Sequence, residues 1–245
     1  MREKIKPISF IKSFLIFALF GVWFYIVIKL LVPSIAASTG ATEYIVWMFT
    51  GSFVLFLPMF AVTWFLLKKE GCKMDLRSIT ERLNFRKLTK KDILTTVGGF
   101  MISIILCGVI IIIMMLTDRA LTVDSLYSIS PIEVSPLKES QLWFALFLPV
   151  FFFFNYVGEE TLWRGCILPR QLAAGYGSYA VIMNALFHCT YHFVFGWKPL
   201  VMMFPMMVLM PHLAAKTKNT WTSVIIHFLI GAPSQIMIIL GIINH

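Results

Sequence analysis

The stretch "ILTTVGGFMISIILCGVIIIIMML", residues 93 to 116, contains no charged side chain. It exceeds the ~18 apolar residues that a helix needs to cross a bilayer, and hydrocarbon leaves its backbone no partners outside the segment. Runs of this kind recur along the chain, which is 59% hydrophobic with a mean hydropathy of +0.84. Soluble domains use roughly 45–50% apolar residues. The fold class is therefore all-α, a polytopic transmembrane helical bundle of about seven spans, eight at most. The spans read as Ile8–Val32, Tyr44–Leu67, Ile93–Leu116, Gln141–Tyr156 continuing to about Ile167, Tyr176–Phe195, Leu200–Ala215 and Trp221–Ile243.

The formal charge of +9 belongs to the loops. Arg2, Lys4, Lys6 and Lys12 precede or open the first span, and residues 33–43 carry no basic side chain. The loop 68–92 is strongly basic; residues 118–140 lean acidic, with only Arg119 and Lys138. The alternation continues through Arg164 and Arg170, then Lys198, then Lys216 and Lys218. Basic loops stay on the cytoplasmic side, so this pattern predicts a multi-pass cell-membrane protein with its amino terminus in the cytoplasm and its carboxy terminus outside. No nucleic-acid role follows from the charge; the lipid bilayer is the partner it implies. Leu76, Ile79, Leu83 and Phe85 in the basic loop recur at near-helical spacing, which fits a short amphipathic helix on the anionic leaflet or a solvated loop. Lys29 lies near a span end, where its stem can snorkel. The first span is too long for a signal-peptide core and reads as an anchor. Cys72, Cys107, Cys166 and Cys189 have no short paired spacing, so neither a disulfide framework nor a zinc ribbon is indicated.

The chain divides into amino-terminal spans, residues 1–117, a Pro- and Ser-containing extracytoplasmic loop, 118–140, and a four-helix segment, 141–245. Polar residues inside spans concentrate in the last part: Asn155, Glu159, Glu160, Arg164, Asn184, His188, His192, His212 and His227. An ionisable side chain at bilayer depth costs at least ~2.5–3.5 kcal/mol, which makes it a functional hypothesis by default. In "FFFFNYVGEETLWRG", Glu160 and Arg164 are four residues apart and share a face, so they neutralise one another. Glu159 is turned about 100° away and left for other partners, with Asn155 on its own face. In "NALFHCTYHF", Asn184, His188 and His192 form one stripe, and the last span adds His227; His212, beside Pro211 near a span end, reads as structural. A carboxylate with imidazoles suits water activation: the carboxylate as base, the imidazoles holding a metal, orienting water or stabilising an oxyanion. No His-Glu-x-x-His and no Gly-x-Ser-x-Gly occurs.

"EETLWRG" resembles the Glu-Glu-x-x-x-Arg motif of the CPBP intramembrane proteases, which include the CAAX prenyl endopeptidases and the Abi or bacteriocin-processing proteins. The likeness covers about Gln141 to Ile243. The family's Phe-x-x-x-His maps onto His188–His192 and its His-x-x-x-Asn onto His227–Gly231. The resemblance implies an intramembrane endopeptidase, with Glu159 as base, His192 beside it, and Glu160 and Arg164 shaping the site. His227 would bind the water, a metal or the oxyanion. It leaves open whether a divalent metal such as zinc is held, by Glu159, His192 and His227, or whether no cofactor is used. The substrate would be a peptide or membrane protein; oligomeric state is not legible. His188 stands where the family has Phe, and Gly231 where it has Asn. These departures favour an alternative, a non-enzymatic relative acting as a membrane scaffold, immunity or regulatory protein. A proton-coupled transporter is a further alternative, although no broken half-helices are evident.

Overall fold

The computed structural model describes residues 5–118, 132, 137 and 139–240, and among them there is no strand. Among the described residues six helices are long and apolar enough to cross a membrane: α1 (Phe10–Thr39), α2 (Glu43–Glu70), α4 (Lys90–Thr117), α5 (Glu139–Tyr176), α7 (Trp197–Thr217) and α8 (Trp221–Ile239). The chain is a polytopic helical bundle. Two shorter helices, α3 (Leu76–Arg82) and α6 (Tyr179–Tyr191), complete it. Most of the expected loop 118–140, with Arg119 and Lys138, lies outside the described residues, as do Arg2 and Lys4.

Helix starts follow local hydrogen bonding. Thr89 and Asp92 close a reciprocal capping box on α4, at 3.1 and 3.0 Å. Each arm satisfies a backbone donor that the first turn leaves orphaned. Asp75 caps α3 by accepting from the Ser78 amide at 2.9 Å, and these Ser78 hydrogen bonds hold its carboxyl below the usual range.

The long helices are not uniformly α. Wider π turns occupy Val27–Leu31, Gly51–Phe56 and Thr161–Ile167, each just before a proline: Pro33, Pro58 and Pro169. Proline has no amide hydrogen, and its ring crowds the carbonyl four residues back, so the preceding turn opens. One freed carbonyl has a taker: Gly165, four residues before Pro169, accepts from Arg82 at 3.3 Å.

α5 is longer than the expected fourth span, running through Pro149 and Pro169. The expected fifth span, Tyr176–Phe195, folds as the 13-residue α6 followed by a tight turn at Phe193–Phe195. At 1.5 Å per residue α6 rises about 20 Å, short of a full crossing of about 30 Å. It is nonetheless packed deep: Phe187 meets Phe10, Phe14 and Phe17 of α1 edge-on.

The main apolar cluster joins α1, α2, α5 and α6, including Phe17, Phe24, Met48, Phe56, Phe151 and Trp163. A second joins α4, α7 and α8 through Cys107, Met206, Leu209, Leu213 and Ile226. α4 turns Ile102, Ile105, Leu106 and Ile112 outward. In water such a face would be an aggregation liability; facing lipid it is ordinary.

The basic loop turns most of its apolar positions toward the protein. α3 has only seven residues, and Leu83 is buried beneath it. Phe85 packs edge-on against Trp221, and Thr220 donates to the Leu83 carbonyl at 2.6 Å. Buried charge fixes the strap: Glu70 binds Arg82 at 2.7 Å and Arg170 at 3.3 Å. The apolar spacing thus serves the protein interior, and only Leu76 is left strongly exposed.

Candidate active site

The carboxylates sit on the single α turn Gly158–Glu160, between the π turns Phe153–Val157 and Thr161–Ile167. Gly158 makes the placement possible, because a Cβ there would lie 2.9 Å from the Phe60 ring. α5 therefore approaches α2 closely at this level, which seals one side of the turn. Glu159, Glu160 and Arg164 are all at most 1% exposed.

Glu160 takes the role its spacing predicts. Its Oε1 accepts from Arg164 at 3.0 Å, with both side chains fully enclosed. The same oxygen meets Nδ1 of His227 on α8 at 3.1 Å. An ionised carboxylate only accepts, so His227 donates from Nδ1.

Glu159 is better partnered than the sequence suggested. Asn155 makes no hydrogen bond to it; the Tyr191 hydroxyl donates to Oε1 at 3.2 Å. Oε2 lies 3.3 Å from Nε2 of His188 and 3.7 Å from Nε2 of His192. Tyr191 was not anticipated. It ends α6 three residues after His188 and directly before His192, which caps the helix, and that spacing was the available signal.

Arg164 settles the state of His188. Its terminal nitrogen lies 2.9 Å from His188 Nδ1, and a guanidinium can only donate. His188 Nδ1 is therefore the acceptor, and the ring proton sits on Nε2, aimed at Glu159. A continuous chain results: Tyr191, Glu159, His188, Arg164, Glu160, His227, linking α6, α5 and α8.

Asn184, expected in the same stripe, belongs elsewhere. It donates to the Trp163 carbonyl at 3.2 Å and to Gln171 at 2.9 Å, and Gln171 donates to Ser13 on α1 at 2.7 Å. This buried amide ladder ties α1, α5 and α6 together beneath the site. His212 is exposed and away from the cluster.

Among the described residues, the donor atoms of Glu159, His188 and His192 lie within 4.8 Å of one another, a grouping compact enough to hold a metal ion. His227, expected as a ligand, is on Glu160 and outside that group. The proton on His188 Nε2 is the obstacle. Ligation there would require Nδ1 to take the proton while facing a guanidinium, or the 2.9 Å contact to break. With that contact in place Glu159 and His192 remain, one short of the three protein ligands of catalytic zinc sites.

The solvent-reachable edge is formed by imidazoles. The His192 and His227 side chains are 13% and 14% exposed, whereas those of Glu159 and Glu160 are at most 2%. A reactant thus meets His192 and His227 first, with the carboxylates behind them.

Fold and site together define a polytopic membrane protein with an enclosed carboxylate-imidazole centre between three helices. Residues 141–232, from α5 into α8, match the family described as type II CAAX prenyl endopeptidase Rce1-like. Neither the curated proteins nor the solved structures gave a match.

Proposed function

We propose that the protein hydrolyses a peptide bond of a membrane-associated substrate, using water activated by Glu159. The observation that carries this reading is Glu159 itself: a buried carboxylate steered by the Tyr191 hydroxyl and His188, 3.7 Å from the partly exposed His192.

Water held between His192 and Glu159 gives a proton to the carboxylate as its oxygen attacks the carbonyl carbon, and the C=O pair moves onto oxygen. Collapse of the tetrahedral intermediate expels the amine, which takes that proton from Glu159. The products are one carboxylate and one amine, and Glu159 is regenerated. His227, its Nδ1 tied to Glu160, faces the reactant with Nε2. Arg164 holds Glu160 and His188 in register. A base in this position typically contributes about 10²–10⁴-fold. Glu159 and His192 would be the ligands of any ion bound here, and an ion would polarise the carbonyl or the water.

The basic loop 68–92 packs against α5 at Gly165, one turn beyond the carboxylates. By the positive-inside rule this end of the bundle faces the cytoplasm, which is where a lipid-anchored protein tail would present its bond.

The test is purified full-length protein in lipid nanodiscs, incubated with farnesylated and unmodified Cys-aliphatic-aliphatic-X peptides, with products read by mass spectrometry. New peptide termini from wild type and none from Glu159→Gln support the reading. Intact peptides throughout would sink it and leave the scaffold role.

A further inference from the structure

Tyr156 holds a hydroxyl with no partner. The residue is 2% exposed, and its oxygen has no hydrogen-bond partner. A buried hydroxyl in this condition is unfavourable, so its persistence asks for an acceptor that the resting protein does not supply.

Its position is specific. Tyr156 lies one turn before Glu160 on α5, on the face of the ion pair. Its ring centroid is 4.9 Å from that of His227, which is itself bound to Glu160. One turn beyond His227 on α8 stands Gly231, where a Cβ would come within 2.6 Å of the Tyr156 oxygen and 2.8 Å of its ring. Glycine is therefore required at 231 while the phenol keeps its place. Tyr156 and Gly231 form a complementary pair: the hydroxyl occupies the space that a side chain from α8 would fill. The same tyrosine helps line a groove of about 270 Å³ between α5 and α8, with Phe152, Val224 and Phe228. A chain lying in that groove passes its ring.

We propose that the Tyr156 hydroxyl donates a hydrogen bond to the oxyanion formed during peptide hydrolysis, and that Gly231 is the vacancy that admits it. This rests on the hydrolytic reading above. When water attacks, the former carbonyl oxygen gains the electron pair; the Tyr156 O–H bond stays intact and shares its hydrogen with that oxygen. A donor that finds its acceptor only in the transition state lowers the barrier without tightening the ground state. Glu159 and His192 serve the water, whereas Tyr156 serves the carbonyl oxygen.

The experiment measures hydrolysis and, separately, binding. In hydrolysis of a farnesylated tetrapeptide, Tyr156→Phe is expected to lower kcat by about 10²–10³-fold with KM unchanged. The volume-conserving change keeps the packing against Gly231. Tyr156→Ala combined with Gly231→Asn should regain part of what Tyr156→Ala loses, because an amide donor enters the same space. Wild-type kcat in Tyr156→Phe overturns the proposal. Binding is measured with the same tetrapeptide carrying a phosphonamidate in place of the scissile amide. Wild type should prefer the phosphonamidate to the amide, and Tyr156→Phe should lose that preference. A wild type that cleaves nothing defeats the hydrolytic reading alone, and the binding comparison then decides for Tyr156. A preference absent in wild type, or equal in both proteins, overturns the proposal.

Discussion

Arg164 donates to Nδ1 of His188 across 2.9 Å, in a space from which both side chains are screened completely. One contact between α5 and α6 thereby fixes where the imidazole proton lies, which oxygen of Glu159 receives it, and how readily the cluster accepts a cation. On the hydrolysis proposed above, His188 would be a positioning residue, acting through Glu159.

Replacing His188 separates hydrogen bonding from bulk. His188→Phe removes the acceptor for Arg164 and the donor for Glu159, leaving a buried group unsatisfied at a cost of about 1–3 kcal/mol or more. Lower thermal stability in detergent and reduced cleavage are both expected. His188→Gln has both an acceptor and a donor and should recover most of each. Equal behaviour of the two variants would remove the positioning role.

Arg164→Met should destabilise the protein severely. Breaking an enclosed pair strands Glu160, and such losses run to about 3–5 kcal/mol. Arg164→Met combined with Glu160→Gln removes both charges and should melt at a higher temperature than Arg164→Met alone. Melting followed by intrinsic tryptophan fluorescence checks both.

Glu159→Gln should abolish hydrolysis while the fold survives. The amide is close to the carboxylate in shape; its oxygen can accept from His188 while its NH2 donates to the Tyr191 hydroxyl oxygen, so only a modest fall in melting temperature is expected. The loss of the base should lower kcat by about 10²–10⁴-fold. A collapsed melting temperature would instead assign Glu159 to structure.

Chelation tests the tautomer argument. Because the Nε2 proton of His188 points at Glu159, extended treatment with a chelator should leave peptide cleavage unchanged. Metal analysis of the purified protein should find less than one ion per chain. Activity that falls on chelation and returns with zinc would overturn the tautomer argument.

Much of the outer architecture was legible in the sequence, because each transmembrane helix announces itself in a contiguous run. Glu160–Arg164 was legible for the same reason, since residues four apart on a helix are neighbours whatever surrounds them. The stretch Tyr176–Phe195 was harder. Its composition suits a span, yet it builds a 13-residue helix and a tight turn packed against α1. Leu83 and Phe85 had a helical spacing that periodicity cannot assign to lipid or to protein. The structure turns them inward, against α5 and α8.

The sequence by itself determined that this chain is a helical membrane protein and that three charges share one turn and a half of its fourth span. Local periodicity and the expense of charge in hydrocarbon are sufficient for both. Tertiary structure decided which partners each charge has. Tyr191 and His188 hold Glu159, His227 goes to Glu160, Asn184 goes to a structural ladder, and Tyr156 fills the space above Gly231. These are contacts between helices distant in sequence. They depend on the depth and rotation at which α5, α6 and α8 pack, quantities that no single helix encodes.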